Sequence, residues 1–156
     1  MAFDNLKNLL ASAPVLQVPD PHKPFSIQVD ASDSGVGAVL MQTGESETLH
    51  PVCYFSQKFK SYQKAYATME KEALGIVLAL EKFEVFLAGS SFAITVFTDH
   101  NPLVFIEKVK FKNARVLRWA LALQPYHIIV QHIKGKTTPL QRHCQELERM
   151  LPFEKM

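Results

Sequence analysis

The chain has 156 residues, of which 47% are hydrophobic and 21% charged, with a formal net charge of +2. That length suits one domain that buries roughly two thirds of its unfolded surface without disulfide or metal staples. No apolar run approaches the ~18 residues of a membrane span, and the near balance of charge excludes a molecule that binds polyanions over its whole surface.

Met1 to Leu10 carry Asp4 and Lys7 inside an amphipathic pattern, unlike a secretory signal, so an intracellular protein is expected. Cys53 and Cys144 lack the spacing partners of a zinc site and read as small core hydrophobes. Residues 1–24 read as an N-terminal helix and an arm rich in proline (Pro14, Pro19, Pro21, Pro24), leading into a domain over 25–150 and a tail at 151–156. Alternation at Phe25, Ile27 and Val29 predicts a first strand that stops at Asp30. A turn over Ser32 to Gly35 follows, then strands near Val36 to Met41 and Val52 to Phe55, and the short connections make all three antiparallel.

From Thr68 the period changes to 3.6, with Met69, Ala73, Ile76, Leu80, Phe83 and Leu87 in one stripe and Gly89 as terminator. Glu72, Gly75 and Ala79 fall on an adjacent face, where small residues let a helix come close to a sheet. An apolar strand, Phe92 to Phe97, runs into Asp99 and then Asn101-Pro102, a cap with proline at the first helical position. Two helical stretches follow, the second from about Asn113 to Leu123, and then a strand from His127 to Ile133. Thr138-Pro139-Leu140-Gln141 opens a last helix with a stripe at Leu140, Cys144, Leu147 and Leu151. Periodicity alone supports a mixed α/β domain.

Asp30, Glu72 and Asp99 each stand at the end of a regular element. Each also has a plain structural reading, as turn former, first-turn acid and helix cap respectively. Taken together they suggest a metal-dependent phosphodiesterase. In-line hydrolysis needs an activated water and neutralisation of developing charge, and carboxylates without a His/Cys set suit magnesium better than zinc. Lys108, Lys110, Lys112, Arg115 and Arg118 stand against one acid between Glu107 and Arg118 and are the candidate phosphate contacts, with Lys58, Lys60 and Lys64 as a second group. A solvated face is the plain reading of both. Trp119 has the spacing of a core residue.

The strings VDASDSGVGAVL, TMEKEALGIVLALE and FTDHNPL, together with YFSQKFK, KFEVFLAGSSF, ARVLRWALALQPY and HIIVQHIKGKT, resemble the ribonuclease H domain of gypsy-type LTR-retrotransposon polyproteins from Phe3 to Thr137. The resemblance implies a ribonuclease H-like fold: a mixed five-stranded sheet of three antiparallel strands, then helix, strand, helices, strand and helix. It implies hydrolysis of the RNA strand of RNA/DNA hybrids with Mg²⁺ or Mn²⁺, up to two ions, beside an adjacent reverse transcriptase domain in a longer polyprotein. Asp30 would bridge both ions, and Glu72 and Asp99 would complete one of them, Glu70 being the weaker candidate. His100 would make a structural contact near the site, and His132 aligns loosely with a mobile-loop histidine of related enzymes.

The family's fourth acid falls on Arg142 here, so the second ion site is incomplete, with Glu146 and His143 as weak substitutes. The expectation is a nuclease weakened at that position. The alternative is a domesticated or decayed module that binds nucleic acid or protein without turnover.

Overall fold

Alternating apolar residues build the centre of the computed structural model, which describes Asp4, Asn8 and residues 16–44, 47–99, 102–110 and 113–133. Strands β1 (Phe25–Ala31), β2 (Gly35–Thr43) and β3 (Leu49–Lys58) form an antiparallel meander. β4 (Ile94–Thr98) then lies parallel to β1, and β5 (Ile128–His132) parallel to β4, giving one sheet in the order β3-β2-β1-β4-β5. Helices α1 (Ser61–Lys64), α2 (Thr68–Leu87), α3 (Pro102–Val109) and α4 (Ala114–Leu123) complete the described elements. This is the mixed five-stranded architecture expected from the sequence. The last helix expected after Ile133 lies outside the described residues.

Three differences from the periodicity have physical causes. β3 starts at Leu49 and passes through Pro51, which a central strand would reject. It is tolerated because β3 is an edge strand and the register shifts between Leu40 and Met41, a bulge that takes up the break in the ladder. β4 starts only at Ile94, because Ser90 N–H donates to Leu87 O and Phe92 N–H to Ser90 Oγ, committing those residues to the turn after α2. Helix α1 is a single turn, too short to leave a periodic signal.

Helix α2, about 30 Å long, packs on β1 and β2 on one side and on α3 and α4 on the other. Its buried set is therefore wider than one stripe, adding Leu74 and Val77 to Ala73, Ile76, Leu80, Phe83 and Leu87. Gly89, at φ 88°, supplies the left-handed residue that ends it. The closest approach to the sheet is at Gly75, where an added Cβ would lie 3.0 Å from Val36 Cγ2 and 3.1 Å from Val29 Cγ1.

The proline arm is held by a side chain that periodicity did not single out. Gln42 is fully buried; its amide oxygen accepts from Asp20 N–H at 2.8 Å, and its Nε2 donates to Asp20 O at 2.8 Å and Lys23 O at 3.0 Å.

Replacing Gly75 with Val should force α2 off β1 and β2 and lower the unfolding free energy by about 1–3 kcal/mol, the usual cost of overpacking. Urea denaturation would read this as a lower midpoint at an unchanged slope.

Candidate active site

The parallel pairing of β1 and β4 sets Ser26 beside Thr95, Ile27 beside Val96 and Gln28 beside Phe97. Continued by two residues, that offset brings Asp30 and Asp99 to neighbouring strand ends. Both are exposed. Glu72 stands one turn before Gly75 on α2, over the same end of the sheet, and only 3% of it is exposed. A carboxylate buried to that degree requires polar partners, and Glu72 and Asp99 both take part in polar or electrostatic interactions.

The three predicted acids thus come to one end of the fold, but from different sides. Val29 and Ala31 face α2, since both lie near Gly75, so strand alternation turns Asp30 to the opposite face. Among the described residues no three His, Cys, Asp or Glu side chains converge to hold a metal ion. The donor set fits a hard divalent cation in kind, all oxygen and all anionic. Arg142, Glu146, His143 and Cys144 lie outside the described residues, as does His100.

Two ion pairs tie the start of α2 to its surroundings. Lys71, 7% exposed, extends its Nζ to Asp33 Oδ1 at 2.7 Å, joining the helix to the β1–β2 turn. That pairing, first through the hydrogen bond and then through the ammonium charge, holds the Asp33 carboxyl below its ordinary value of 3.8. Glu70 accepts from Ala67 N–H at 3.1 Å with one oxygen and pairs with Arg115 of α4 through the other. The Arg115 guanidinium also lies 3.9 Å over the Tyr66 ring, and Tyr66 packs against Trp119 with centroids 6.0 Å apart. Trp119 is buried, as its spacing predicted.

These contacts sort the candidate phosphate-binding cations. Arg115 is committed to Glu70 and Tyr66, and Lys110 pairs with Glu107 at 2.7 Å. Lys108 and Arg118 present exposed side chains, as do Lys58, Lys60 and Lys64 of the second group. Lys112 lies outside the described residues. Cys53 is half-buried against the core, as a small hydrophobe would be.

Residues 20–126 match the family model described as the RNase H-like domain found in reverse transcriptase. The chain belongs to this family. It is 43% identical over 136 residues to the retrovirus-related Pol polyprotein from transposon gypsy and 38% identical over 135 residues to that from transposon 297, both of Drosophila melanogaster. Each alignment covers 86% of this chain but only 13% and 12% of the polyprotein, so the chain spans about an eighth of these relatives. Among solved structures, the prototype foamy virus protease-reverse transcriptase matches with a TM-score of 0.67 and 20% identity, over 84% of this chain and 18% of that one. The LC11-RNase H1 complex with RNA/DNA hybrid matches at 0.52 and 16%, over 72% and 86%. At such identities these two speak for the fold, which is RNase H-like.

Reading the sequence for acids missed Lys71, Asp33 and the Glu70–Arg115 pair of this RNase H-like domain. A signal for the first was present. Lys71 lies three and four residues before Leu74 and Gly75, both buried, so helical spacing already set a lysine on a covered face.

Because the folded-state value of Asp33 is depressed, its pair with Lys71 contributes stability above the unfolded value and loses it as pH falls through the folded one. Asp33→Asn should therefore lower the melting temperature at pH 7, and the gap to the parent should close on acidification below 3.8. Melts from neutral to acid pH would show it; a gap independent of pH would remove the ion pair as its cause.

Proposed function

We propose that this domain hydrolyses the RNA strand of RNA/DNA hybrids as the ribonuclease H part of a retroelement Pol polyprotein. The single observation that supports this most is the adjacency of Asp30 and Asp99 at the ends of parallel β1 and β4, in a chain of this family. Asp30 and Asp99 at neighbouring strand ends, with Glu72 at the same end of the fold but on the other face of β1, supply carboxylates that a divalent cation would draw together. Bound there, Mg²⁺ or Mn²⁺ would supply water activation and neutralise charge building on the phosphoryl oxygens.

The residues of the chain do the rest of the work. Asp30, Glu72 and Asp99 would supply the oxygen ligands, and the exposed Lys108 and Arg118 engage backbone phosphates of the hybrid. Water attacks phosphorus, the bond to the leaving oxygen breaks, and a phosphate and a hydroxyl end result. Recognition of the ribose 2′-hydroxyl selects the RNA strand. Arg142, at the position of the family's fourth acid, makes turnover slow. In the foamy viral protease-reverse transcriptase, an RNA/DNA hybrid is likewise the bound nucleic acid of one solved complex.

Incubation with a labelled hybrid and Mg²⁺ or Mn²⁺ should give slow RNA-strand cleavage, abolished in Asp30→Asn and Asp99→Asn and accelerated in Arg142→Asp. If hybrid is bound but never cut by the parent or by Arg142→Asp with either metal, the domain is a binding module. Either metal at millimolar concentration should also raise the melting temperature of the parent but not of Asp30→Asn, since the cation relieves carboxylate repulsion in the folded state.

Binding should divide the basic residues in the same way as their contacts. Lys108→Ala and Arg118→Ala should each weaken hybrid affinity and reduce the slope of log affinity against log salt by about 1. Arg115→Ala should instead lower the melting temperature. Filter binding across a salt series, with melts in parallel, separates these outcomes.

A further inference from the structure

The turn that follows Asp30 is built to be stiff. Ser32 N–H donates to Gly35 O at 2.8 Å, and Ser32 Oγ accepts from Ser34 N–H and Gly35 N–H, both at 3.2 Å. Ser34 O in turn accepts from Phe59 N–H at 2.8 Å, which fastens the turn to the end of β3. Asp33 stands at the tip of this turn, its side chain fully exposed except for one partner: the Nζ of Lys71.

Lys71 is not an ordinary surface lysine. Its stem is covered, so the ammonium cannot sweep through solvent and reaches only where the packing of α2 directs it. Lys71 is also the neighbour of Glu72, while Asp33 lies three residues beyond Asp30 on a rigid turn. One ion pair thereby spans the two elements that carry two of the three acids, close to both. The small face of α2 at Gly75 fixes how near the helix lies to the sheet. The Lys71–Asp33 pair adds a second tie between helix and turn, in the helical turn that carries Glu72.

We infer that Lys71 is a positioning residue for hybrid cleavage: its ion pair with Asp33 is a strut that sets Asp30 relative to Glu72. The inference rests on the hydrolytic reading above and adds to it a residue that bears no metal and touches no substrate. A misplacement of the order of 1 Å between reacting groups can lower a rate by about a hundredfold, so a strut need contribute little to stability to matter for turnover.

The test uses Lys71→Met, which keeps the covered stem and removes the charge, Asp33→Asn, the double variant, and Lys71→Arg as the conservative replacement. On a labelled hybrid, Lys71→Met and Asp33→Asn should each lower kcat by about ten- to a hundredfold while KM changes by less than about threefold, and each should raise the Mg²⁺ concentration needed for half-maximal rate. The double variant should be no slower than the slower single one, and Lys71→Arg should recover most of the rate. Amide exchange of Gly35 and Phe59 should accelerate in Lys71→Met, reporting a loosened turn.

Singles that cut like the parent, losses that multiply in the double variant, or a rate loss that follows the melting temperature with no change in the Mg²⁺ requirement would overturn the strut. Where Arg142→Asp alone cuts, the same variants are compared in that background; failure of both the parent and Arg142→Asp to cut would instead overturn the hydrolytic reading. Amide exchange then judges the strut alone: unchanged protection at Gly35 and Phe59 in Lys71→Met rejects it, and accelerated exchange keeps it as a coupling between turn and helix.

Discussion

Parallel pairing of β1 with β4 is the constraint from which the rest follows. Two strands of the same direction cannot be joined by a tight turn, so the chain must leave the sheet, travel back along its length and re-enter. After β2 and β3 have taken the chain down and up the sheet once more, helix α2 is that return path, from the end of β3 to the start of β4. Once β4 lies beside β1, the strand ends bearing Asp30 and Asp99 are neighbours whatever the loops do, and a helix returning over β1 and β2 must start above that same end. The address of the site is thus fixed by chain direction before any side chain makes a contact.

The same geometry sets two demands on α2 that pull against each other. It must bury a broad apolar surface, because it lies between the sheet on one side and α3 and α4 on the other, and it must deliver charged groups at its first two turns. The solution is segregation along the axis. From Ala73 onward the covered positions are apolar or small, whereas Glu70, Lys71 and Glu72 gather at the start, where Lys71 and Glu70 find partners beyond the helix in Asp33 and Arg115. Three consecutive charged residues at least half covered would be a liability in mid-helix. At the N-terminus they become the joints that connect α2 to the β1–β2 turn and to α4.

Much of this was legible in the residues themselves. Strand alternation at Phe25, Ile27 and Val29, the helical stripe through Phe83, the role of Gly89 and the core position of Trp119 all follow from local periodicity, which depends on neighbours in sequence and so survives the absence of tertiary information. Family strings supplied the sheet order that periodicity alone left open. What sequence did not carry were long-range polar contacts: Gln42 holding the arm, Arg115 given to Glu70 and not to solvent, and Lys71 reaching Asp33. An isolated charged residue looks the same in a list whether its partner is water or a carboxylate thirty-eight residues away. For the acids, spacing gave the right end of the fold but not the side from which each approaches, since the face of a strand residue becomes meaningful only when the covering helix is in place.

Pro51 in β3 has a consequence for how this domain lives among copies of itself. An outer strand normally offers a row of open hydrogen-bonding groups, an invitation to another molecule's strand. Here that row is broken twice: proline has no N–H to offer, and its carbonyl is already occupied by Gln17 N–H at 2.8 Å. The bulge beside it, at Val52, adds local twist. A visiting strand would meet a gap, a bend and an occupied acceptor within a few residues, so pairing along the first part of β3 is opposed by backbone chemistry. That guards this part of the edge against self-templated aggregation through the backbone itself, beside the charge that Lys58 places at the strand's far end.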